Sequence, residues 1–181
     1  MDIRAELLRE HSARQTKRLM QYACSHPRHF AELLKVFWYG TPRERQLAAD
    51  VLGWVGEQRP KWLVPHVAGL LAAVDAGAEH HPAVRRCVAR VLQFVAVPEE
   101  WQAPAFDTCM RLLVASAEPV AVKVYALSAA ARLATPYPEL AAEVLAAAES
   151  VLSTTTSAAL HGRAGRELPK LRSVLREVLP G

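Results

Sequence analysis

Glycine is scarce in this chain, and its eight copies form neither a G-x-G-x-x-G turn nor a Walker-type loop. Without such a backbone cradle for phosphates, dinucleotide and P-loop nucleotide chemistry are excluded, and no cofactor is expected. Nucleophile-elbow and HExxH spacings are missing as well, and Ser128 and Ser150 have no histidine and acid that the sequence places beside them. Cysteine is equally sparse. Cys24, Cys87 and Cys109 are odd in number, widely separated and never in a C-x-x-C pair, which argues against a disulfide framework and a zinc site. Cys87 and Cys109 sit among apolar neighbours and read as small core residues. Free thiols of this kind point to a cytoplasmic location. The one dense histidine cluster, Glu79–His80–His81, lies in the connection from Asp75 to Pro82, and adjacent histidines on a turn do not converge on one metal.

Long apolar runs are also lacking. The longest candidate, Trp62 to Val74, is interrupted by Pro65 and His66 and falls short of the roughly 20 residues that span a bilayer. The opening stretch, MDIRAELLREHSARQTKRLM, is amphipathic and charged throughout, unlike a signal peptide. Strict apolar–polar alternation does not occur, so no strand is expected. Spacings of three and four residues occur instead, as in Leu47, Val51, Leu52 and Val55, or Cys87, Val91, Leu92 and Val95.

What the chain does contain is repetition. TPRERQLAADVLGWV from Thr41, HPAVRRCVARVLQFV from His81 and EPVAVKVYALSAAARL from Glu118 recur at a period of about forty residues. Aligned on Pro42, Pro82 and Pro119, they share one column of Ala49, Ala89 and Ala126 and another of Leu47, Cys87 and Val124. A second set of segments, led by Pro27, Pro60, Pro98 and Pro138, alternates with the first. Proline suits the first helical turn, where its missing N–H has no partner to lose. The pattern therefore reads as helix A, loop, helix B, loop. Each unit buries its apolar face only against its neighbours, so the fold class is all-α, a right-handed α-α superhelix.

One domain over residues 1–181 is expected, with a capping helix over 1–25 and helix pairs near 27–57, 60–96, 98–134 and 138–179. The last B segment, from Thr154, keeps Ala164 in register but puts Gly162 in the apolar column. Its stripe of Leu160, Ala164, Leu168, Leu171 and Leu175 is expected to break or kink at Pro169.

HPAVRRCVARVLQFV resembles the second helix of a HEAT repeat, with Pro82 at its start, Val84–Arg85 next, and Ala89 and Leu92 along the buried side. The resemblance, to small bacterial HEAT-like proteins, covers roughly Pro27 to Leu171. The copy at Glu118–Val122 departs from it by lacking the paired arginines. It implies a non-enzymatic scaffold whose B helices line a concave binding face.

On that face the column four residues after each proline reads Gln46, Arg86, Lys123 and His161, and the column four further on reads Asp50, Arg90, Leu127 and Gly165. With Arg43 and Gly53, these positions lie opposite the apolar stripe and are expected to face solvent. Arg45, Gln46, Asp50, Arg86, Arg90 and Lys123 are thus the candidate partner-binding residues. The competing reading is a solvated face whose arginines pair with acids of neighbouring helices. The candidate partner is a protein or peptide of acidic character, with neither membrane nor small molecule involved. The net charge of +4 also permits a nucleic-acid partner held through phosphates.

Some HEAT-like proteins are alkylpurine DNA glycosylases, which set a carboxylate and aromatics beside a basic track. Here only Asp50 occupies the expected face. Trp54, Trp62 and Trp101 read as core or packing between repeats, while Phe37–Trp38–Tyr39 closes a helix before Gly40 and is expected to expose at least one ring.

Overall fold

The computed structural model describes residues 1–75 and 81–178, and every regular element among them is helical. The chain divides into two compact units, Met1–Ala96 and Val97–Gly181.

The first unit holds α1 (Ile3–Arg9), α2 (Ala13–Ser25), α3 (Pro27–Tyr39) and α4 (Pro42–Gln58). After these come α5 (Pro60–Leu63), a 3-10 turn (Val64–His66), α6 (Val67–Asp75) and α7 (Pro82–Val91). Pro27, Pro42, Pro60 and Pro82 each stand in the first turn of a helix, as their chemistry predicts. The A and B helices pair as α3 with α4 and as α6 with α7, while α4 lies directly against α7. Ala49 and Ala89 are completely buried, as are Leu52 and Leu92. Truncating either leucine to alanine would cost about 2–5 kcal/mol.

The second unit holds α8 (Glu99–Val114), α9 (Val120–Ala134), α10 (Pro138–Ser153) and α11 (Ala158–Val178). Here α8 pairs with α9 and α10 with α11, and contacts between successive repeats run from α8 to α10 and from α9 to α11.

Three local expectations give way. The capping helix over 1–25 is two helices: the first ends at Arg9, and Ser12 caps the second. Its Oγ accepts from the Gln15 N–H at 3.1 Å. The buried Gln15 side chain reaches back to donate to the Glu6 carbonyl at 2.9 Å, which holds α1 against α2. Ser-x-x-Gln is a helix-start signal, and here it overrides a continuous amphipathic pattern.

The A segment after Pro60 is likewise broken by the 3-10 turn that contains Pro65. At Pro169 the opposite happens, and α11 continues past the proline without a break. That proline leaves the Gly165 carbonyl without a helical partner. Both residues are exposed and nothing lies within 4 Å of a Cβ built on Gly165, so water reaches the site. Leu160, Ala164 and Leu168 before the proline and Leu171 after it are buried and anchor both parts of the helix.

Candidate functional site: the paired B helices

The B helices α4 and α7 meet over small residues. Gly53 and Gly56 are both buried on α4. A Cβ on Gly56 would lie 2.8 Å from Val91 Cγ2 and 3.4 Å from Val91 Cα, so the two backbones approach as closely as glycine allows. A Cβ on Gly53 would meet Arg90 Cδ at 3.3 Å. Gly53 therefore does not face solvent as the helical face read from the sequence requires. It forms the bed on which the aliphatic stem of Arg90 lies.

That close approach brings the charged columns of the two helices together. Arg86 on α7 donates to Asp50 Oδ1 on α4. Asp50 also receives His11 Nε2, at 3.3 Å to its other oxygen. One turn further along, Arg90 Nη2 donates to Glu57 Oε2 at 2.6 Å, and its Cζ sits 3.3 Å from the centroid of the Trp54 ring. With 11% of its side chain exposed, Arg90 is largely covered on a column expected to point outward. Both arginines thus pair with acids of the neighbouring helix.

Arg45 and Gln46 have local partners. Arg45 Nε donates to the Phe37 carbonyl at 3.2 Å, tying α4 to the end of α3. Gln46, half-buried, accepts from Arg43 Nη1 at 3.0 Å. Lys123 belongs to the second unit, half-buried on α9. Leu127, from the same expected solvent-facing columns, is completely buried, because this column runs along the seam between successive B helices. His161 is exposed and donates to the Thr155 carbonyl at 2.9 Å.

Among the aromatics, Trp54 takes the second of its two expected places, packed between repeats against Arg90 and not in the core. It is 42% exposed, and Phe94 in the same repeat column is also exposed. Trp62 is half-buried against Phe30, with ring centroids 5.4 Å apart, and Trp101 is half-buried. In the Phe37–Trp38–Tyr39 cluster, Phe37 is fully buried and Tyr39 is 81% exposed.

The second unit repeats the device in a different chemistry. Arg163 Nη1 on α11 donates to Ser128 Oγ on α9 at 2.7 Å, and that hydroxyl donates to Glu167 Oε1 at 2.8 Å. The Arg163 guanidinium also lies 5.9 Å from the Tyr125 ring centroid. Ser128 is buried and engaged with an arginine and an acid, a structural bridge with no imidazole at its side.

His81 caps α7, its Nδ1 accepting from the Ala83 N–H at 3.2 Å, whereas Glu79 and His80 lie outside the described residues. No group of three histidine, cysteine or acidic residues among the described residues is arranged to hold a metal. Burial pushes the Cys109 thiol up to about 12 and the Cys87 thiol in the same direction, so neither is a nucleophile near neutral pH. No helix among the described residues is long and apolar enough to cross a membrane.

Stacked helix pairs joined through their B helices define a helical-repeat protein, an α-α solenoid in class. A family model described as a HEAT repeat domain matches residues 3–167. The chain belongs to the HEAT repeat family, whose members generally act as scaffolds for protein interactions. No curated protein and no solved structure matches it.

Proposed function

We propose that this protein is a non-enzymatic interaction module that binds a partner protein on the α4–α7 face, centred on Trp54 and Arg90. Arg45, Gln46, Asp50 and Arg86 border that centre, and Lys123 on α9 is the corresponding position of the second unit. The observation that carries this reading is the Trp54–Arg90 stack. A large ring is 42% exposed yet held in place by a guanidinium that is itself anchored to Glu57. Binding energy at interfaces concentrates in aromatic and arginine side chains, and prior anchoring lowers the entropy lost on docking. Because Asp50 and Glu57 answer Arg86 and Arg90, aromatic and hydrogen-bonding contacts dominate, and acidic character in the partner is a secondary term.

The test places a photo-crosslinking residue at Gln46 on this face, with a second at Glu149 on α10 as control. Crosslinks from position 46 identify the partner, and calorimetry on the purified pair then compares the wild type with Trp54→Ala. Truncating a central aromatic is expected to cost about 2 kcal/mol or more of binding. Crosslinks confined to position 149, or unchanged affinity in a folded Trp54→Ala protein, would refute the assignment.

A further inference from the structure

Acids in this protein are mostly answered. Glu44 carries Arg4, Asp50 carries Arg86, Glu57 carries Arg90, and Glu149 carries Arg172. The A helices of the second unit break this habit. An open groove of about 440 Å³ lies between α8 and α10, floored by Ala103, Phe106, Leu133 and Leu140. Glu99, Asp107, Glu139 and Glu143 stand around it, and no lysine, arginine or histidine is part of its wall. None of these four carboxylates has an ion-pair or hydrogen-bond partner among the described residues.

The helix sequences explain why. No basic residue occurs in α10, and the single one in α8, Arg111, sits in its last turn. Glu99 and Glu139 fall in first turns, where the helix dipole favours a negative charge. That explanation does not reach Asp107 or Glu143, which lie well inside their helices. Tyr137, 45% exposed, closes one side of the groove, its hydroxyl donating to Gln102 Oε1 at 3.3 Å.

From this pairing of an apolar floor with an uncompensated acidic rim, we infer that the α8–α10 groove docks a basic amphipathic helix of a partner protein. Leucine-sized side chains spaced i, i+3/i+4 and i+7 fill the floor, and flanking lysines or arginines meet the carboxylates. Charge complementarity selects this occupant, since an apolar segment with acidic flanks would set like charges against all four rim positions. The groove belongs to the second unit and Trp54 and Arg90 to the first, and its test is independent of theirs.

Two peptides of about 14 residues probe it, with leucines at identical helical spacing and either lysine or glutamate at the flanks. They are titrated into the isotopically labelled full chain and followed by amide chemical shifts. The lysine peptide is expected to saturate, with shifts gathered at Gln102, Tyr137 and Leu140. The glutamate peptide is expected to bind about ten-fold more weakly or worse, the combined effect of several exposed charge pairs. Glu139→Lys with Glu143→Lys, both at exposed positions that leave the core untouched, sets two lysines against the remaining Glu99 and Asp107 and should abolish that preference. In the unsubstituted protein, equal affinity for the two peptides, shifts elsewhere, or no saturation by either would overturn the inference. So would concentration-dependent dimerisation abolished by the same double substitution, which assigns the groove to a second copy of this chain.

Discussion

The guanidinium of Arg90 lies over the indole of Trp54, its Cζ 3.3 Å from the ring centroid, with one nitrogen 2.6 Å from Glu57. One side chain thus joins α7 to α4 by cation–π, ionic and aliphatic contacts at once. A lysine keeps the charge but loses the plane, so Arg90→Lys should destabilise the protein by about 1–2 kcal/mol in denaturant unfolding. Arg86 makes a simpler and more exposed pair, with 41% of its side chain open to solvent. Arg86→Lys should change stability by less than about 0.5 kcal/mol.

Alanine scanning of the helical glycines should give opposite signs at opposite ends of the chain. At Gly56 a new methyl meets Val91 at 2.8 Å, and the overpacking cost of about 1–3 kcal/mol outweighs the gain in helix propensity. At Gly162 and Gly165 nothing lies within 4 Å, so each substitution should stabilise by up to about 1 kcal/mol. Thermal unfolding of the three variants separates the cases.

Much of this architecture is legible in the sequence, and the reasons are local. Proline at a helix start and alanine at a buried contact act through their own backbone and size, so Pro27, Pro42, Pro60 and Pro82 mark helix starts correctly. The seam between α4 and α7 is not legible in this way, because a single helix's stripe records its own pair and not the next repeat. Gly53, and Leu127 on α9 of the second unit, are for that reason expected outside and are buried, while Trp54, expected in the core or between repeats, packs against Arg90 of the next repeat and stays 42% exposed. Two signals pointed toward the seam: a pair of glycines three residues apart in a helix, and Trp54 with Glu57 on one face of α4. Ser12-x-x-Gln15 equally announced the break before α2.

Acid should weaken the tie between α1 and α4. Hydrogen bonds from the Arg4 guanidinium, at 2.6 and 2.8 Å, and then from the Thr41 N–H hold the Glu44 carboxyl down at about 2. A depressed folded-state value means stability that is complete above the ordinary value of 4.5 and is lost as pH falls toward 2. The melting temperature of Glu44→Gln should therefore lie below that of the wild type at neutral pH. The gap should narrow progressively on acidification through that window, and a gap that is independent of pH would show the tie to be steric.

With Arg86 and Arg90 committed to Asp50 and Glu57, the face centred on Trp54 has little left to hold a polyanion, despite a net charge of +4. Fluorescence anisotropy of a short labelled duplex and its single strand tests this directly, titrated with protein from low salt to about 150 mM. The expected result is no saturation below about 100 µM at the higher salt, weaker than ordinary non-specific binding. Micromolar binding that persists at that salt, falls with a slope of several ions and disappears in Arg86→Glu would contradict it and make the face a phosphate track.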